Sequence, residues 1–323
     1  MLKLKFVLVL IAILLCFEIL VRLFVVSPAV VRFDSALGPM KAVGSHVVRS
    51  YEGHSDEIYD GYGFNNDALP PIMPSQRLLV LGDSFVEAEQ VPRHENFVSR
   101  LNTLSYLFAY NVGYSGADPR SFPTLVSRLI SVIHPTTLVL CVNADDFSSL
   151  RGENLPSYDQ PKGLKRWLQP LFAHSALATH LNWKYKPILQ AWWQRWKMKF
   201  SKDKPTESAY QDQQLQRLSW LAILKQLKVY HVPIYVVPFP AIHYEPNRRA
   251  VAVKDIRLEQ LVEVAKEQGI PVLRMEPLFI QDFQDTGKVA FGFVNSHLGT
   301  GHLNEHGHLL VARAIMQNLG LNP

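Results

Sequence analysis

The chain has 323 residues, of which 48% are hydrophobic and 19% charged, and its formal net charge is +5. This composition is typical of a globular protein and excludes a disordered or low-complexity chain. The two cysteines, Cys16 and Cys141, lie in an apolar N-terminal run and in a predicted buried strand, so we expect no structural disulfide. The sequence contains neither zinc-ligand spacing nor a phosphate-binding glycine loop, and no metal or cofactor is predicted.

Residues 1–28 are predicted to form an N-terminal membrane anchor. Two lysines precede an apolar stretch over residues 6–26, which is interrupted by Glu18 and Arg22. About twenty apolar residues span a bilayer, and the lysines favour a cytoplasmic N-terminal end. We therefore expect a single-pass protein of the inner (cytoplasmic) membrane whose main domain faces the periplasm or cell exterior. The alternative is a cleaved signal peptide. Glu18 and Arg22 are four residues apart and are expected to pair on one helix face.

Residues 29–75 form a lead-in with little periodicity and many glycine, proline, aspartate and histidine residues. This pattern predicts an irregular segment that lies over the surface of the domain rather than a site. The domain itself is predicted to occupy residues 76–323.

Buried strands alternate with amphipathic helices from residue 76 onward. The predicted strands cover residues 78–81, 106–112, 137–142, 232–238 and 270–274. The predicted helices cover residues 86–90, 95–103, 122–133, 211–230, 255–268 and 309–319. Alternation of this kind with short loops predicts an α/β fold, a three-layer α/β/α domain with a central parallel sheet of about five strands.

The Gly-Asp-Ser-Phe sequence of residues 82–85 follows the first of these strands directly. It places the hydroxyl of Ser84 at the carboxyl edge of the sheet, where open α/β sheets bind ligands. A serine nucleophile also needs a base and an oxyanion site. The alternative is that Asp83 and Ser84 only make a turn and cap a helix.

Three further blocks follow in order. Residues 111–116 (Asn-Val-Gly-Tyr-Ser-Gly) follow the second strand, the polar residues 143–146 follow the third, and residues 301–308 (Gly-His-Leu-Asn-Glu-His-Gly-His) lie near the C-terminus. Together with the Gly-Asp-Ser block they resemble the SGNH (GDSL-type) hydrolase superfamily, over roughly residues 76–316. The resemblance implies a flavodoxin-like α/β/α fold and ester hydrolysis through a serine.

By this resemblance Ser84 is the nucleophile and His302 is the general base, while His308 matches a second, structural histidine. In many relatives an aspartate lies three residues before the catalytic histidine, but Gly299 stands there in this chain. Either a backbone carbonyl orients His302 in a Ser-His dyad, or Asp282 or Asp285 (both earlier in the chain) approaches it.

The resemblance also implies an oxyanion hole built from the backbone amides of Ser84 and Gly116 and an asparagine side chain. A gapless alignment puts Asp145 at the asparagine position. An ionised aspartate cannot donate a hydrogen bond and repels a developing oxyanion, so Asn143 is the alternative donor. These departures keep a catalytically degraded protein in view.

Residues 150–205 form a basic, aromatic insert. Its tryptophans are Trp167, Trp183, Trp192, Trp193 and Trp196, and they are interspersed with lysines and arginines. Such a segment is typical of a helical cap with its aromatic residues against the body, or of contact with a membrane surface. A polyanionic glycan site and a wall of the substrate cleft are further alternatives, whereas nucleic acid is not expected outside the cytoplasm.

The sequence therefore predicts a membrane-anchored serine esterase or deacylase that acts on small acyl (acetyl) esters, with cell-envelope carbohydrate as the expected substrate. The alternatives are an O-acetyltransferase for exopolysaccharide that uses the same site, and a non-catalytic glycan-binding or assembly protein.

Overall fold

The computed structural model describes residues 2–28, 31–148, 150, 163–164, 167–168, 174–182, 184–185 and 206–320. Helix α1 (Leu2–Phe24) contains a stretch, Leu4–Phe24, that is long and apolar enough to cross a membrane, with 21 residues and a mean hydropathy of 2.9. A membrane anchor and a signal sequence both fit a helix of this length and position. The Arg22 guanidinium donates to Glu18 Oε1 over 2.9 Å, so the expected pairing on one helix face is confirmed.

The lead-in is ordered rather than irregular. It contains two antiparallel hairpins, one formed by β1 (Val31–Asp34) and β2 (Gly38–Lys41) and the other by β3 (His46–Arg49) and β4 (Ser55–Ile58). Several of its apolar side chains are buried, namely those of Leu37, Met40, Val47, Val48, Tyr59 and Phe64. The lead-in therefore packs into the domain, because its apolar residues turn inwards although their spacing in the sequence is irregular.

The domain is built on a parallel sheet, as the alternating pattern predicts, and the sheet has four strands where about five were expected. They are β5 (Arg77–Gly82), β6 (Phe108–Gly113), β7 (Thr137–Asn143) and β8 (Ile234–Phe239), in the spatial order β6-β5-β7-β8. This is the order of flavodoxin-like sheets, in which the winding reverses between the first and third strands. The carboxyl ends of β5 and β7 therefore flank the point where such sheets bind ligands.

The predicted fifth strand over residues 270–274 is reduced to one parallel bridge between Val236 and Val272. Backbone hydrogen bonds join Val236 to the carbonyl of Pro271 and to the amide of Leu273. Proline has no amide hydrogen to contribute to a ladder, which limits pairing at this edge.

Helices cover both faces of the sheet. One face packs against helices of the middle of the chain, α4 (Phe122–Ile133), α5 (Thr206–Lys228) and α6 (Ile256–Glu267). The other packs against α3 (Phe97–Leu104), α7 (Glu276–Thr286) and α8 (Glu305–Asn318). Alternation along β5 divides its side chains between the two cores, with Leu79 and Leu81 on the first face and Leu78 and Val80 on the second. Helix α7 and a hairpin of β9 (Ile242–Glu245) and β10 (Arg249–Ala252) were not predicted from the sequence.

Part of the basic, aromatic insert is described. It includes a short helix over residues 176–182, called the insert helix below, and Trp167, whose side chain is 81% exposed. The remaining tryptophans lie outside the described residues, namely Trp183, Trp192, Trp193 and Trp196. An exposed Trp167 differs from the expectation of aromatic side chains packed against the body.

Candidate active site

The turn after β5 presents Ser84 at the carboxyl edge of the sheet. Asp83 caps the short helix α2 (Ser84–Glu87) by accepting a hydrogen bond of 3.0 Å from the amide of Phe85. A Cβ at Gly82 would lie 2.3 Å from Val86 Cγ2, so the close return of α2 onto β5 requires glycine there. The predicted cap is therefore real, but it also sets the Ser84 hydroxyl at the start of a helix, facing the sheet edge.

His302 lies directly against Ser84. The Ser84 Oγ and His302 Nε2 atoms are 2.9 Å apart, although the two residues are 218 positions apart in the chain. The histidine backbone is fixed by a bond of 2.8 Å from the amide of Gly292 to the carbonyl of His302, and its ring centre is 5.1 Å from that of Phe85. The structure thus brings together the two residues that the sequence paired by resemblance.

The acidic partner of His302 is Glu52, from the lead-in. Glu52 Oε2 lies 2.7 Å from His302 Nδ1, and Glu52 Oε1 accepts a hydrogen bond of 2.8 Å from the backbone amide of His302. A carboxylate at Nδ1 keeps the proton on that nitrogen and leaves Nε2 free to accept from Ser84. A Cβ at Gly301 would come within 2.1 Å of Glu52 Oε1, so glycine is needed for this approach.

The acids considered from the sequence do not take this role. Asp282 lies 2.5 Å from His306 Nε2, and Asp285 accepts hydrogen bonds from the Gln281 side chain. Two alternatives for the partner of His302 were expected from the sequence, a backbone carbonyl and Asp282 or Asp285. Both are wrong, because Glu52 occupies the position at His302 Nδ1. No local pattern marks Glu52. The sequence hint is that residues 289–304 contain no acid, so a partner has to come from elsewhere.

Glu52 and His302 perturb each other's protonation. Burial raises the pKa of Glu52, but the hydrogen bonds and charge of His302 outweigh it, and the net pKa is lowered. Burial lowers the pKa of His302, but the hydrogen bond and charge of Glu52 outweigh it, and the net pKa is raised above 6.5. Both shifts favour the ion pair, in which Glu52 is ionised and the imidazole of His302 is protonated.

The loop that carries Glu52 is tied down on both sides. The amide and carbonyl of Gly53 both bond the Asn295 side chain, each over 2.8 Å. The amide of His54 donates to the carbonyl of Gln90 over 2.9 Å, and a Cβ at Gly53 would overlap that carbonyl. The loop of Glu52 is therefore held on one side by Gln90, which follows α2, and on the other by Asn295, in the loop before His302.

A buried cluster of charged residues lies between α2 and the lead-in. Glu87 and Glu89, at and just after the end of α2, are almost fully buried and face Lys41, Arg49 and Tyr59 of the lead-in. Arg49 donates to Glu89 over 2.9 Å, and Lys41 forms a close ion pair with the same carboxylate. Burial raises the pKa of Glu89, but these two cations lower it to about 2. The lead-in and the nucleophile helix are thus joined by buried charge pairs.

Glu87 holds the second sequence block, residues 111–116, in place. Its Oε2 accepts hydrogen bonds of 2.5 Å from both the amide and the hydroxyl of Ser115, next to Gly116. Burial, and next the charge of Glu89, raise the pKa of Glu87. Gly116 itself has a φ of +77°, is exposed and does not line the cavity at Ser84. Gly116 therefore differs from the other oxyanion candidates, which all line this cavity.

Asn143 and Asp145 both line the cavity at Ser84, but their side chains are held differently. Asn143 Nδ2 donates to Asp83 Oδ2 over 2.7 Å, and its Oδ1 accepts from the amide of Asp145 over 2.7 Å. These bonds fix the amide orientation and leave one N–H of Nδ2 for a ligand. Burial raises the pKa of Asp83, against the hydrogen bonds that lower it, including the one from Asn143. Of the two candidates at this position, Asn143 is the one with a hydrogen to donate.

A cavity of about 520 Å³ opens above Ser84. Its floor and polar edge are formed by Ser84, Asn143 and His302, while its apolar wall is made by Phe85, Phe239, Pro240, Ile242 and Phe291. Within the part of the chain that the structure describes, no group of three or more His, Cys, Asp or Glu residues is arranged to hold a metal ion.

His308 lies in a different environment from His302. It is buried, its ring stacks on Phe97 with centres 5.8 Å apart, and its Nδ1 accepts a hydrogen bond of 3.3 Å from the amide of Phe97. Burial lowers its pKa to about 3, so it stays neutral. This environment fits the structural role that the sequence gave it.

No protein-family model matches the sequence, and no curated protein matches it. The solved structures that match are distant. An alpha/beta hydrolase enzyme from the metagenome of Lake Arreo, Spain, is 15% identical, with a TM-score of 0.43 over 78% of this chain and 99% of that one. A catalytic mutant of an acetylxylan esterase from Geobacillus stearothermophilus is 14% identical, with a TM-score of 0.43 over 78% of this chain and 98% of that one. A lipolytic protein of the G-D-S-L family from Desulfitobacterium hafniense is 13% identical, with a TM-score of 0.37 over 75% of this chain and 99% of that one. Likenesses at these scores carry no argument about activity, which has to rest on the geometry of the site.

Proposed function

We propose that this chain is a serine esterase of the SGNH type, with Ser84 as nucleophile, His302 as general base and Glu52 as the acid that orients His302. One observation carries the proposal. A continuous hydrogen-bonded path runs from Ser84 Oγ to His302 Nε2 over 2.9 Å and from His302 Nδ1 to Glu52 Oε2 over 2.7 Å. This is the arrangement that activates a serine hydroxyl, which is too weakly acidic to attack an ester unaided.

The reaction follows from these positions. Ser84 Oγ attacks the ester carbonyl while His302 Nε2 takes its proton, and the imidazolium formed is stabilised by Glu52. The oxyanion accepts hydrogen bonds from the first-turn amide of α2 at Ser84 and from the free N–H of Asn143. His302 returns the proton to the leaving alcohol, and an acyl group remains on Ser84. Water, activated by the same histidine, then releases the acid and restores the serine.

The substrate we propose is a small acyl ester, with acetyl on cell-envelope carbohydrate as the class. The cavity at Ser84 is far larger than an acetyl group, and it leaves room for the alcohol that carries the ester. We take α1 as an uncleaved anchor in the inner membrane, which brings the site to envelope carbohydrate on the outer side. If a sugar hydroxyl replaces water in the second step, the same residues transfer the acetyl group, and the enzyme is an O-acetyltransferase. The intact path from Ser84 to Glu52 favours an enzyme over a degraded binding protein.

Labelling with a fluorophosphonate probe tests the nucleophile. The full chain in detergent should react with the probe, and Ser84→Ala should abolish the reaction. Ser127→Ala is the matched control, because Ser127 is an exposed serine of α4 whose hydroxyl bonds only the local carbonyl of Thr124. Absence of labelling in the wild type, under conditions where a control hydrolase reacts, would favour a binding protein.

Acetate release distinguishes hydrolysis from transfer. The wild-type protein that has not been treated with the probe should release acetate from an aryl acetate, and addition of a polysaccharide acceptor leaves that release unchanged for an esterase. Acetyl groups that appear on the polysaccharide instead would identify the transferase.

A further inference from the structure

Two charged residues lie inside the apolar span of α1. Glu18 is six residues before Phe24, the last residue of the span, which places it about 9 Å along the helix axis from that end. The pair Glu18–Arg22 leaves most of the carboxylate's hydrogen-bonding capacity open. A charged side chain at this depth is costly unless it has partners, and it points to a functional contact.

The insert supplies those partners. Glu18 accepts hydrogen bonds from the amides of Ala176 and Leu177 (2.8 and 2.9 Å) and from the hydroxyl of Ser175 (2.8 Å). Arg22 donates to the carbonyl of His174 over 2.7 Å. Four hydrogen bonds thus join α1 to the start of the insert helix, and together with the bond between Arg22 and Glu18 they satisfy both charges.

Because these contacts are to Glu18, the insert helix has to lie at the depth of Glu18. The span of 21 residues is about as long as the hydrocarbon core is thick (roughly 30 Å), so a segment bonded about 9 Å before the end of the span lies just below the boundary between headgroups and acyl chains. Exposed apolar side chains of the insert suit that location. Leu181 of the insert helix and Tyr185 just after it are about half exposed, and Leu164 and Trp167, which precede the helix in the chain, are mostly exposed. Aromatic and leucine side chains of this kind are favoured at the membrane interface.

We propose that the insert helix is a second membrane attachment, which rests on the proposed role of α1 as an anchor, lies against α1 just inside the outer boundary between headgroups and acyl chains, and places Leu181 in lipid. The partner is the lipid bilayer itself. The attachment is rigid, because the chain has no spacer after α1. Val26 is fully buried and pairs with Arg49, and the amide of Ser27 donates to the carbonyl of Val48 over 3.1 Å.

The same helix contacts the loop of the triad acid. His180 Nδ1 lies 3.2 Å from the hydroxyl of Tyr51, and the two rings are 5.4 Å apart. Tyr51 is next to Glu52 in the chain. The docked insert therefore fixes the domain against the membrane by a face that adjoins the active site.

Lipid quenching of a single fluorophore tests the attachment. Cys16→Ser leaves Cys141 as the remaining cysteine, which is buried. Leu181→Cys is then labelled with an environment-sensitive dye in the full chain, reconstituted in nanodiscs of phosphatidylcholine and phosphatidylglycerol. The control is Tyr106→Cys, since Tyr106 is fully exposed and lies between α3 and β6.

Nitroxide lipids labelled near the headgroup should quench the dye at position 181 roughly threefold or more above position 106, because the dye and the quencher share one depth. Equal quenching at the two positions would overturn the proposal.

Glu18→Leu tests the dock separately. It keeps α1 apolar and removes the acceptor of three hydrogen bonds, so quenching at position 181 should fall toward the control value while the thermal unfolding of the domain is retained. Unchanged quenching in this variant would show that Glu18 does not hold the insert helix, and would refute the proposed docking of the insert helix on α1. Neither readout uses enzymatic activity, so the outcome is independent of the proposed esterase function.

Discussion

Replacement of Glu52 by glutamine is the sharpest test of the proposed active site. Glutamine keeps the shape of the side chain but removes the charge, so it neither fixes the proton on His302 Nδ1 nor stabilises the imidazolium. In a serine protease the equivalent change lowers turnover about ten-thousand-fold. We expect the same order for Glu52→Gln, a loss of about 5.4 kcal/mol of transition-state stabilisation at 1.36 kcal/mol per tenfold.

The kcat of Glu52→Asp should fall between those of the wild type and of Glu52→Gln. The aspartate carboxylate is withdrawn by one methylene, about 1.5 Å, and the 2.7 Å contact to His302 is lost or lengthened. A misplacement of about 1 Å typically costs about a hundredfold, which is the loss we expect in kcat.

The pH profile gives a second readout of the same contact. His302 must be neutral to act as a base, and Glu52 raises its pKa above 6.5. The acid limb of kcat/KM should therefore have its midpoint above pH 6.5 in the wild type. In Glu52→Gln the main cause of the upward shift in the pKa of His302 is gone, while burial still lowers that pKa, so the midpoint should move to lower pH.

The assay is hydrolysis of an aryl acetate by the full chain in detergent, with thermal unfolding measured for each variant. Asp282→Asn is the matched control, since Asp282 is one of the two aspartates considered from the sequence as a partner of His302 but contacts His306. It should keep kcat within a few-fold of the wild type. If Glu52→Gln stays within tenfold of the wild type, or if Asp282→Asn loses as much as Glu52→Gln, the assignment of Glu52 is wrong.

Four further predictions follow from the described contacts. Asn143→Ala should lower kcat by roughly a hundred- to a thousand-fold through loss of an oxyanion donor, measured in the same assay, and an unchanged kcat would exclude that role. Asp145→Asn should raise kcat/KM by removing negative charge from the cavity wall, and a decrease would contradict the repulsion. The free energy of unfolding should decrease as the pH falls from 6.5 toward 3, because in this range His308 takes up a proton in the unfolded chain but not in the folded one. In denaturant titrations this dependence on pH should be weaker for His308→Gln. An equal dependence in the variant would assign the effect to other groups. A periplasm-dependent reporter fused after Ser35 should be active, and inactivity would reverse the topology.

The α/β fold could be predicted from the sequence because its signals are local. Residues 78–81 are apolar throughout, as in a strand buried on both faces, and the helix over residues 122–133 is found at its predicted bounds. The fifth strand was overestimated, because proline at position 271 does not change the apolar pattern that marks a strand but does remove a ladder donor.

The contact between Ser84 and His302 was predictable for a related reason. Ser84 and His302 are each embedded in a short block whose glycines and cap residues are dictated by a tight local turn, and such blocks can be recognised in isolation. Their meeting at 2.9 Å then follows from the parallel topology, which collects the carboxyl ends of the strands and the loop before the last helix at one edge.

The third member of the site depended on the tertiary structure. Glu52 lies 250 residues before His302, in a segment without periodicity, and a carboxylate there is indistinguishable in the sequence from a solvated one. Its position is decided by long-range packing. The ion pairs of Arg49 and Lys41 with the buried Glu89 bind the lead-in to the nucleophile helix. The sequence by itself thus determined the fold class and the serine-histidine pair, whereas only the folded chain decided which acid completes them, because pairing between distant segments leaves no local pattern.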